Sequence, residues 1–143
     1  MKNNVTTLFV YGSLRSEFEH PAHEHIRKHF TLISKAKVKG LLYDTGEYPA
    51  AIPTTTEQGF ITGELSEAKT PADFLLAIKE LDAYEGVEPE DGEEPLFTRE
   101  LTEVTYNTTV EEAWIYWYNG TVLDENRVAS GDIMDLIESK SKL

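Results

Sequence analysis

The segment from Leu8 to Leu14 constrains the fold most, because a run of apolar strand formers leads directly into a glycine turn. It reads Leu-Phe-Val-Tyr-Gly-Ser-Leu. Three apolar strand formers followed by an aromatic residue predict a central β-strand. Gly12 then allows a positive φ or a close approach to a ligand. The amides of such a turn can face one concavity and hold a carboxylate or an oxyanion, although Tyr11-Gly12-Ser13 also fits a plain tight turn.

The size and charge of the chain bound its function. Its 143 residues suit a single domain, which we expect over residues 1–143. The chain has no cysteine, which excludes disulfides, thiolate metal sites and a cysteine nucleophile. No stretch approaches the ~20 apolar residues that cross a bilayer, and no secretory core is visible, so we expect a cytoplasmic protein. The net charge of -13 disfavours nucleic acid and anionic membranes as partners.

The pattern along the chain predicts more short strands than helices. Strands are predicted over Ser34–Tyr43, Gly59–Leu65, Phe97–Tyr106 and Glu111–Tyr118, the last two as a hairpin, with Tyr48–Pro53 extended. Helices are predicted over Pro21–Phe30, Pro71–Tyr84 and Gly131–Ser139. Because the strands do not alternate strictly with helices, the pattern favours an α+β fold with a small, mostly antiparallel, curled sheet and flanking short helices. Gly63 is a candidate β-bulge.

The helix from Pro71 has the clearest boundaries. Thr70 is its predicted N-cap and Gly86 its terminator. One apolar face is predicted for this helix, made of Phe74, Leu75, Ile78 and Leu81. The segment from Val87 to Pro95 that follows is an acidic loop.

Glu85 is the acidic residue with the strongest case for chemistry. It lies at the carboxyl end of this helix, where the helix dipole disfavours negative charge, and it follows an aromatic residue. Both features raise the pKa of a carboxyl group. A carboxyl group tuned upwards passes protons near neutral pH. The alternative is that Glu85 is simply one of 26 acidic residues, placed beside an acidic loop.

Three other patterns are weaker candidates. Ser13 is not part of a Gly-x-Ser-x-Gly elbow and has no assignable base, so a turn or ligand-contact serine is favoured over a nucleophile. All four histidines fall within His20–His29, and His25 and His29 have the i, i+4 spacing of a zinc pair, but a solvated helix face explains them as well. The aromatic residues at 114–118 lack a basic groove for nucleic acid, so core packing is favoured.

Several short motifs occur in an order that is specific to one family. They are Leu8–Leu14, Gly40-Leu-Leu-Tyr43, Tyr48-Pro49, Gly63-Glu-Leu65, Leu81-Asp-Ala-Tyr-Glu-Gly86, Phe97-Thr-Arg99 and Ser130-Gly-Asp132. On these motifs the chain resembles the gamma-glutamylcyclotransferase-like family, in particular its short members, which include gamma-glutamylamine cyclotransferases. The resemblance implies a small, mostly antiparallel β-barrel with flanking helices and a cavity bordered by the first turn.

The resemblance also implies an activity, the release of 5-oxoproline from a gamma-glutamyl amine or a related small gamma-glutamyl amide. It implies Glu85 as the catalytic acid/base and a substrate-binding set of Tyr11, Gly12, Ser13, Leu14, Tyr48 and Arg99, with Arg15 as a further helper. The substrate's own α-amine is the nucleophile, so no metal and no organic cofactor is required. The alternatives are a non-catalytic small-molecule-binding or interaction protein with the same fold and, more weakly, a histidine-based metal protein. The leaving amine and the oligomeric state stay open.

Three departures from the family pattern bear on the pocket. Phe97 stands where many relatives have tyrosine, which removes a possible hydroxyl donor. The acidic loop after Glu85 discourages anionic leaving groups. Ile133 follows Asp132 where relatives often carry tryptophan, which puts that end of the pocket in question.

Overall fold

Seven strands and two helices make up the computed structural model, which describes residues 5–12, 21–46, 48–54, 59–87 and 94–134. The strands are β1 Thr7–Val10, β2 Phe30–Lys39, β3 Leu41–Asp44, β4 Pro49–Ile52, β5 Phe60–Ala68, β6 Phe97–Tyr106 and β7 Thr109–Tyr118. The helices are α1 Pro21–His29 and α2 Pro71–Glu85, and a 3-10 turn spans Asp124–Asn126.

Five strands close into a barrel in the order β1-β5-β2-β6-β7. Four of its pairings are antiparallel, and β7 closes the barrel by pairing parallel to β1 at Leu8 and Trp114. Strands β3 and β4 form a separate two-stranded sheet. The predicted α+β class with a mostly antiparallel barrel is therefore confirmed, and β1, which is buried along its whole length, is the central strand that the sequence predicted.

Two apolar cores lie on opposite faces of the barrel wall. On β7, Ile115 and Trp117 belong to the core inside the barrel, whereas Tyr116 packs with residues of both helices. This alternation follows from the period of two in a strand. Both faces of the last strand are covered, as its aromatic residues predicted.

The predicted strand from Ser34 to Tyr43 is wrong in one respect, because it is interrupted at Gly40. A Cβ on Gly40 would lie 2.8 Å from the Ile61 side chain and 3.0 Å from the Ile52 carbonyl oxygen, so the chain passes there without room for a side chain. Strand β2 ends before this point and β3 begins after it.

Gly63 is not a bulge, contrary to the prediction. It pairs in register with Ala36, and the register shift between β2 and β5 lies between Leu32 and Ser34. A Cβ on Gly63 would lie 2.2 Å from the Val10 carbonyl oxygen and 2.7 Å from the Phe9 ring. Glycine is needed here for the close approach of β1, the strand that leads to the first turn.

Helix α2 begins and ends as predicted, with one difference on its apolar face. The Thr70 hydroxyl accepts from the Asp73 amide at 3.0 Å, and Gly86 takes the left-handed conformation with φ 71°. Leu75, however, is 68% exposed, so it does not belong to the buried face. That face is formed by Phe74, Ala77, Ile78, Leu81 and Asp82.

Of the helix predicted over Gly131–Ser139, Ile133 and Met134 are helical, and residues 135–139 lie outside the described residues. Ile133 packs inside the barrel and does not line the site described below. Among the described residues, no helix has the length and apolar character needed to cross a membrane.

Candidate active site

A cavity of about 240 Å³ is lined both by the end of β1 and by the end of α2. Its walls are Phe9, Val10, Tyr11, Gly12, Tyr48, Pro49, Tyr84, Glu85, Leu96, Phe97 and Tyr116. Tyr11 and Gly12 of the first turn therefore face the same space as Glu85, which lies more than seventy positions later in the sequence. This volume lies just below the range of about 300–1,000 Å³ that is typical of ligand sites, so the cavity suits a small molecule.

The β1 side of the cavity is held by a hydrogen bond across the barrel wall. The Tyr11 hydroxyl donates to the Tyr116 carbonyl oxygen at 2.5 Å. Gly12 does not adopt a positive φ. A Cβ there would lie 2.8 Å from the Pro49 ring, so glycine allows the first turn to contact the β3–β4 sheet. The positive φ that the sequence analysis offered for this glycine is therefore absent, and its close approach in the structure is to Pro49, while its approach to a ligand stays a prediction.

Glu85 is partly buried in the cavity wall, at the last residue of α2. Burial raises the pKa of its carboxyl group from 4.5 to about 7. At neutral pH the side chain is thus divided between its acid and base forms, which is the condition for accepting and returning a proton. The upward direction agrees with the prediction, and removal from water is its cause.

Two tyrosines, Tyr11 and Tyr116, accompany Glu85 in the cavity wall, and their hydroxyl groups stay neutral. Burial and the neighbouring charge of Glu85 raise the pKa of Tyr11 well above its ordinary value. Burial and the charge of Asp82 do the same for the pKa of Tyr116. The Tyr116 hydroxyl donates to Asp82 at 2.8 Å, so both hydroxyl protons are already bonded within the protein. The tyrosines can therefore offer a ligand their rings and oxygen lone pairs.

Arg99 does not line the cavity. Its Nε donates to Asp82 Oδ1 at 2.8 Å and its Nη2 to Asp82 Oδ2 at 3.1 Å, a two-pronged ion pair. The guanidinium also lies over the Trp114 ring, 4.5 Å from its centre. Arg99 is thus engaged behind the cavity wall, and we do not retain it as a direct substrate contact.

Part of the cavity wall is aromatic. The Tyr48 and Phe97 rings lie 5.7 Å apart, and Phe97 also contacts Tyr118 at 5.5 Å. Phe97, which stands where many relatives have tyrosine, gives this wall an apolar surface. No lysine or arginine lines the cavity within the part of the chain that the structure describes.

The structure brings together four of the predicted site residues: Tyr11, Gly12, Tyr48 and Glu85. Ser13, Leu14 and Arg15 lie outside the described residues. The sequence prediction missed Tyr116 and Asp82. Asp82 is a member of the Leu81–Gly86 motif and shares a helix face with Glu85 through its i, i+3 spacing, so that spacing was the signal available in the sequence.

Among the histidines of residues 20–29, His29 takes part in a described ion pair. Its Nδ1 lies 2.9 Å from Asp73 Oδ1, and hydrogen bonds from His29 and Thr70 lower the pKa of Asp73. The side chains of His20, His23 and His25 lie outside the described residues. Over the ranges that the structure covers, no group of three or more histidine, aspartate or glutamate residues has the geometry of a metal site.

Sequence comparison agrees with this architecture. Residues 8–135 match the family described as gamma-glutamyl cyclotransferase, AIG2-like. The chain belongs to that family, and the resemblance drawn from the short motifs is confirmed. The family is of the cyclotransferase type, which indicates an enzyme acting on a small molecule. No curated protein matches the chain.

Solved structures share the fold. YkqA from Bacillus subtilis has 27% identity and a TM-score of 0.70 over 95% of this chain, which spans 42% of the YkqA chain. PH0828 from Pyrococcus horikoshii has 19% identity and a TM-score of 0.65, with 96% of this chain and 97% of that one covered. An AIG2-like protein from Mus musculus has 18% identity and a TM-score of 0.61, with 85% and 81% covered.

Proposed function

We propose that the protein is a cyclotransferase that releases 5-oxoproline from a gamma-glutamyl amine or a related small gamma-glutamyl amide, with Glu85 as the general acid/base. The observation that carries the proposal is the position of Glu85. Its carboxyl group, with a pKa of about 7, faces the same small cavity as Tyr11 and Gly12 of the first turn. Membership of the family supports the same reaction type.

The proton route requires one carboxyl group. The Glu85 carboxylate takes a proton from the substrate's α-ammonium group, and the freed amine attacks the γ-carbonyl carbon. A carbon–nitrogen bond forms, and the carbonyl oxygen becomes an oxyanion. Protonated Glu85 then gives its proton to the leaving nitrogen, and the original amide bond breaks. The Glu85 carboxylate takes the second proton from the positively charged ring nitrogen, and 5-oxoproline and a free amine result. That proton passes to the released amine or to water, which restores the carboxylate. Because nucleophile and carbonyl belong to one molecule, binding in a folded conformation supplies much of the rate.

The first turn is assigned to the substrate's anionic groups. We expect main-chain amides of Gly12, Ser13 and Leu14 to donate to the α-carboxylate or to the oxyanion. The Tyr11 oxygen, whose proton is bonded to the Tyr116 carbonyl, can accept from the α-ammonium group.

The leaving amine is assigned to the aromatic wall. Tyr48 and Phe97 offer apolar surface, and the described lining provides no cation for a carboxylate. A strongly acidic chain adds long-range repulsion of anions. We therefore expect leaving amines without a carboxylate to be preferred over amino-acid leaving groups.

A panel of gamma-glutamyl amides with different leaving amines, assayed for 5-oxoproline, tests the proposal. Glu85→Gln keeps the size of the side chain and removes its proton exchange, so we expect turnover to fall by about 10²–10⁴-fold. Glu80→Gln is the matched control, because Glu80 lies on the same helix and is exposed to solvent; it should retain parental activity.

Two results would overturn the proposal. Equal turnover by Glu85→Gln and the parent would remove Glu85 from the mechanism. Saturable binding of several amides by the parent protein with no 5-oxoproline formed would favour the non-catalytic binding protein instead.

A further inference from the structure

The carboxyl end of α2 is fixed by two independent sets of contacts, and Asp82 takes part in both. In the main chain, the Val87 amide donates to the Asp82 carbonyl oxygen at 2.9 Å and the Gly86 amide to the Ala83 carbonyl oxygen at 3.3 Å. These two bonds, with Gly86 left-handed, form a Schellman ending. The main-chain turn that carries Glu85 is therefore closed on Asp82.

The Asp82 side chain ties this turn to the barrel. It is 7% exposed and accepts three hydrogen bonds, two from Arg99 on β6 and one from the Tyr116 hydroxyl on β7. A buried carboxylate that accepts a two-pronged guanidinium and a hydroxyl is strongly oriented. Asp82 consequently fixes both the position of the last turn of α2 on the barrel surface and its rotation about the helix axis.

Tyr116 connects this anchor to the opposite side of the cavity. Its hydroxyl holds Asp82, while its main-chain carbonyl oxygen accepts from the Tyr11 hydroxyl at 2.5 Å. One residue of β7 thus contacts both the helix that carries Glu85 and the strand that leads to the first turn. Tyr116 therefore links Asp82, on the helix that carries Glu85, to Tyr11 at the end of β1.

We propose that Asp82, held by Arg99 and Tyr116, is a positioning residue that places the Glu85 carboxyl group against the first turn. Asp82 does not itself line the cavity, so it acts through Glu85 and not on the substrate. The proposal rests on the proposed function for its kinetic consequence, but the placement of Glu85 can be measured without turnover.

The test compares substitutions at the two ends of α2. Asp82→Asn removes the negative charge that pairs with Arg99. Arg99→Lys keeps the positive charge but removes the two-pronged hydrogen bonding of the guanidinium group. Because a displacement of about 1 Å can cost about 10²-fold in rate, we expect kcat per folded molecule to fall about 10–100-fold in either variant, with KM changed less than threefold. Asp73→Asn disrupts the His29 pair at the other end of α2 and is the control; its kcat should be unchanged.

The second readout is the titration of the Glu85 carboxyl group by 13C NMR. In Arg99→Lys, whose net charge equals that of the parent, a released Glu85 side chain gains water, and its pKa should fall from about 7 towards 4.5. An unchanged Glu85 titration together with unchanged kcat in Arg99→Lys would overturn the positioning role. If the parent has no turnover, the proposed function fails, and the titration alone decides whether Asp82 positions Glu85.

Discussion

The two ends of helix α2 carry similar groups in different surroundings. At its start, Thr70 caps the helix through two exposed hydrogen bonds with Asp73, and Asp73 also pairs with the buried His29. At its end, Asp82 pairs with Arg99 behind the wall of a cavity, and Glu85 faces that cavity. The contacts at the first end stabilise the helix itself, whereas those at the second end lie beside the candidate active site.

The difference between the ends shows in what each carboxyl group can do. Hydrogen bonds from His29 and Thr70 lower the pKa of Asp73, so it is ionised throughout the neutral range. Burial raises the pKa of Glu85 to about 7, so it exchanges protons there. A carboxylate that is satisfied by partners stabilises structure, whereas one that is deprived of water without a partner is available for chemistry.

The largest expected effect on stability is at the carboxyl end. Arg99→Ala leaves the Asp82 carboxylate buried with the Tyr116 hydroxyl as its remaining described donor. Because an uncompensated buried charge is costly, we expect the free energy of unfolding to fall by about 3 kcal/mol. Urea unfolding at pH 7 measures this. A loss no larger than that of a surface substitution would mean that the pair contributes nothing to anchoring the helix.

Glu85 should show a smaller effect of opposite sign. The folded state binds the Glu85 proton up to a pH of about 7, whereas the unfolded chain releases it near 4.5. Its contribution to stability is therefore fully present below about pH 4.5 and is lost as the pH rises through about 7. The full shift corresponds to about 3 kcal/mol, which partial exposure reduces to about 2 kcal/mol.

Glu85→Gln has no titrating carboxyl group at this position, so it does not lose stability as the pH rises through about 7. The variant should be about 2 kcal/mol more stable than the parent at pH 8, and the difference should shrink steadily towards pH 5. Urea unfolding of both proteins across this range is the measurement. A constant difference at every pH would contradict an elevated pKa in the folded state.

The smallest effect is expected at the amino end of α2. Thr70→Ala removes the hydroxyl that accepts from the Asp73 amide, and should lower the free energy of unfolding by about 1 kcal/mol. Turnover per folded molecule should not change, because neither Thr70 nor Asp73 lines the cavity. A fall in kcat without loss of folded protein would show that the two ends are not independent.

Local sequence signals were sufficient for much of the fold. The cap, the terminating glycine and the hairpin from Phe97 to Tyr118 are features of neighbouring residues, and each was predicted. Gly63 and Leu75 were mispredicted because their roles depend on distant partners. The sequence shows a glycine in a strand, but not that β1 crosses it at Val10.

The same distinction between local and distant features applies to the candidate site. Glu85 could be selected from its helix end and its motif, and the first turn from its glycine. That the two share a cavity depends on barrel closure, which pairs β1 with both β5 and β7. Arg99 was predicted to bind substrate because of the family resemblance carried by the Phe97-Thr-Arg99 motif. In the structure it pairs with Asp82, a contact that depends on the packing of α2 on β6 and β7.

The pH dependence of 5-oxoproline release by the parent protein tests the central claim most directly. If Glu85 is the base, kcat/KM for a gamma-glutamyl amide should rise with pH through an apparent pKa of about 7, tenfold per pH unit on the acid side. Glu85→Gln should lack this limb along with most of the activity. A parent profile that is flat from pH 5.5 to 8.5, or the same limb in Glu85→Gln, would contradict the assignment.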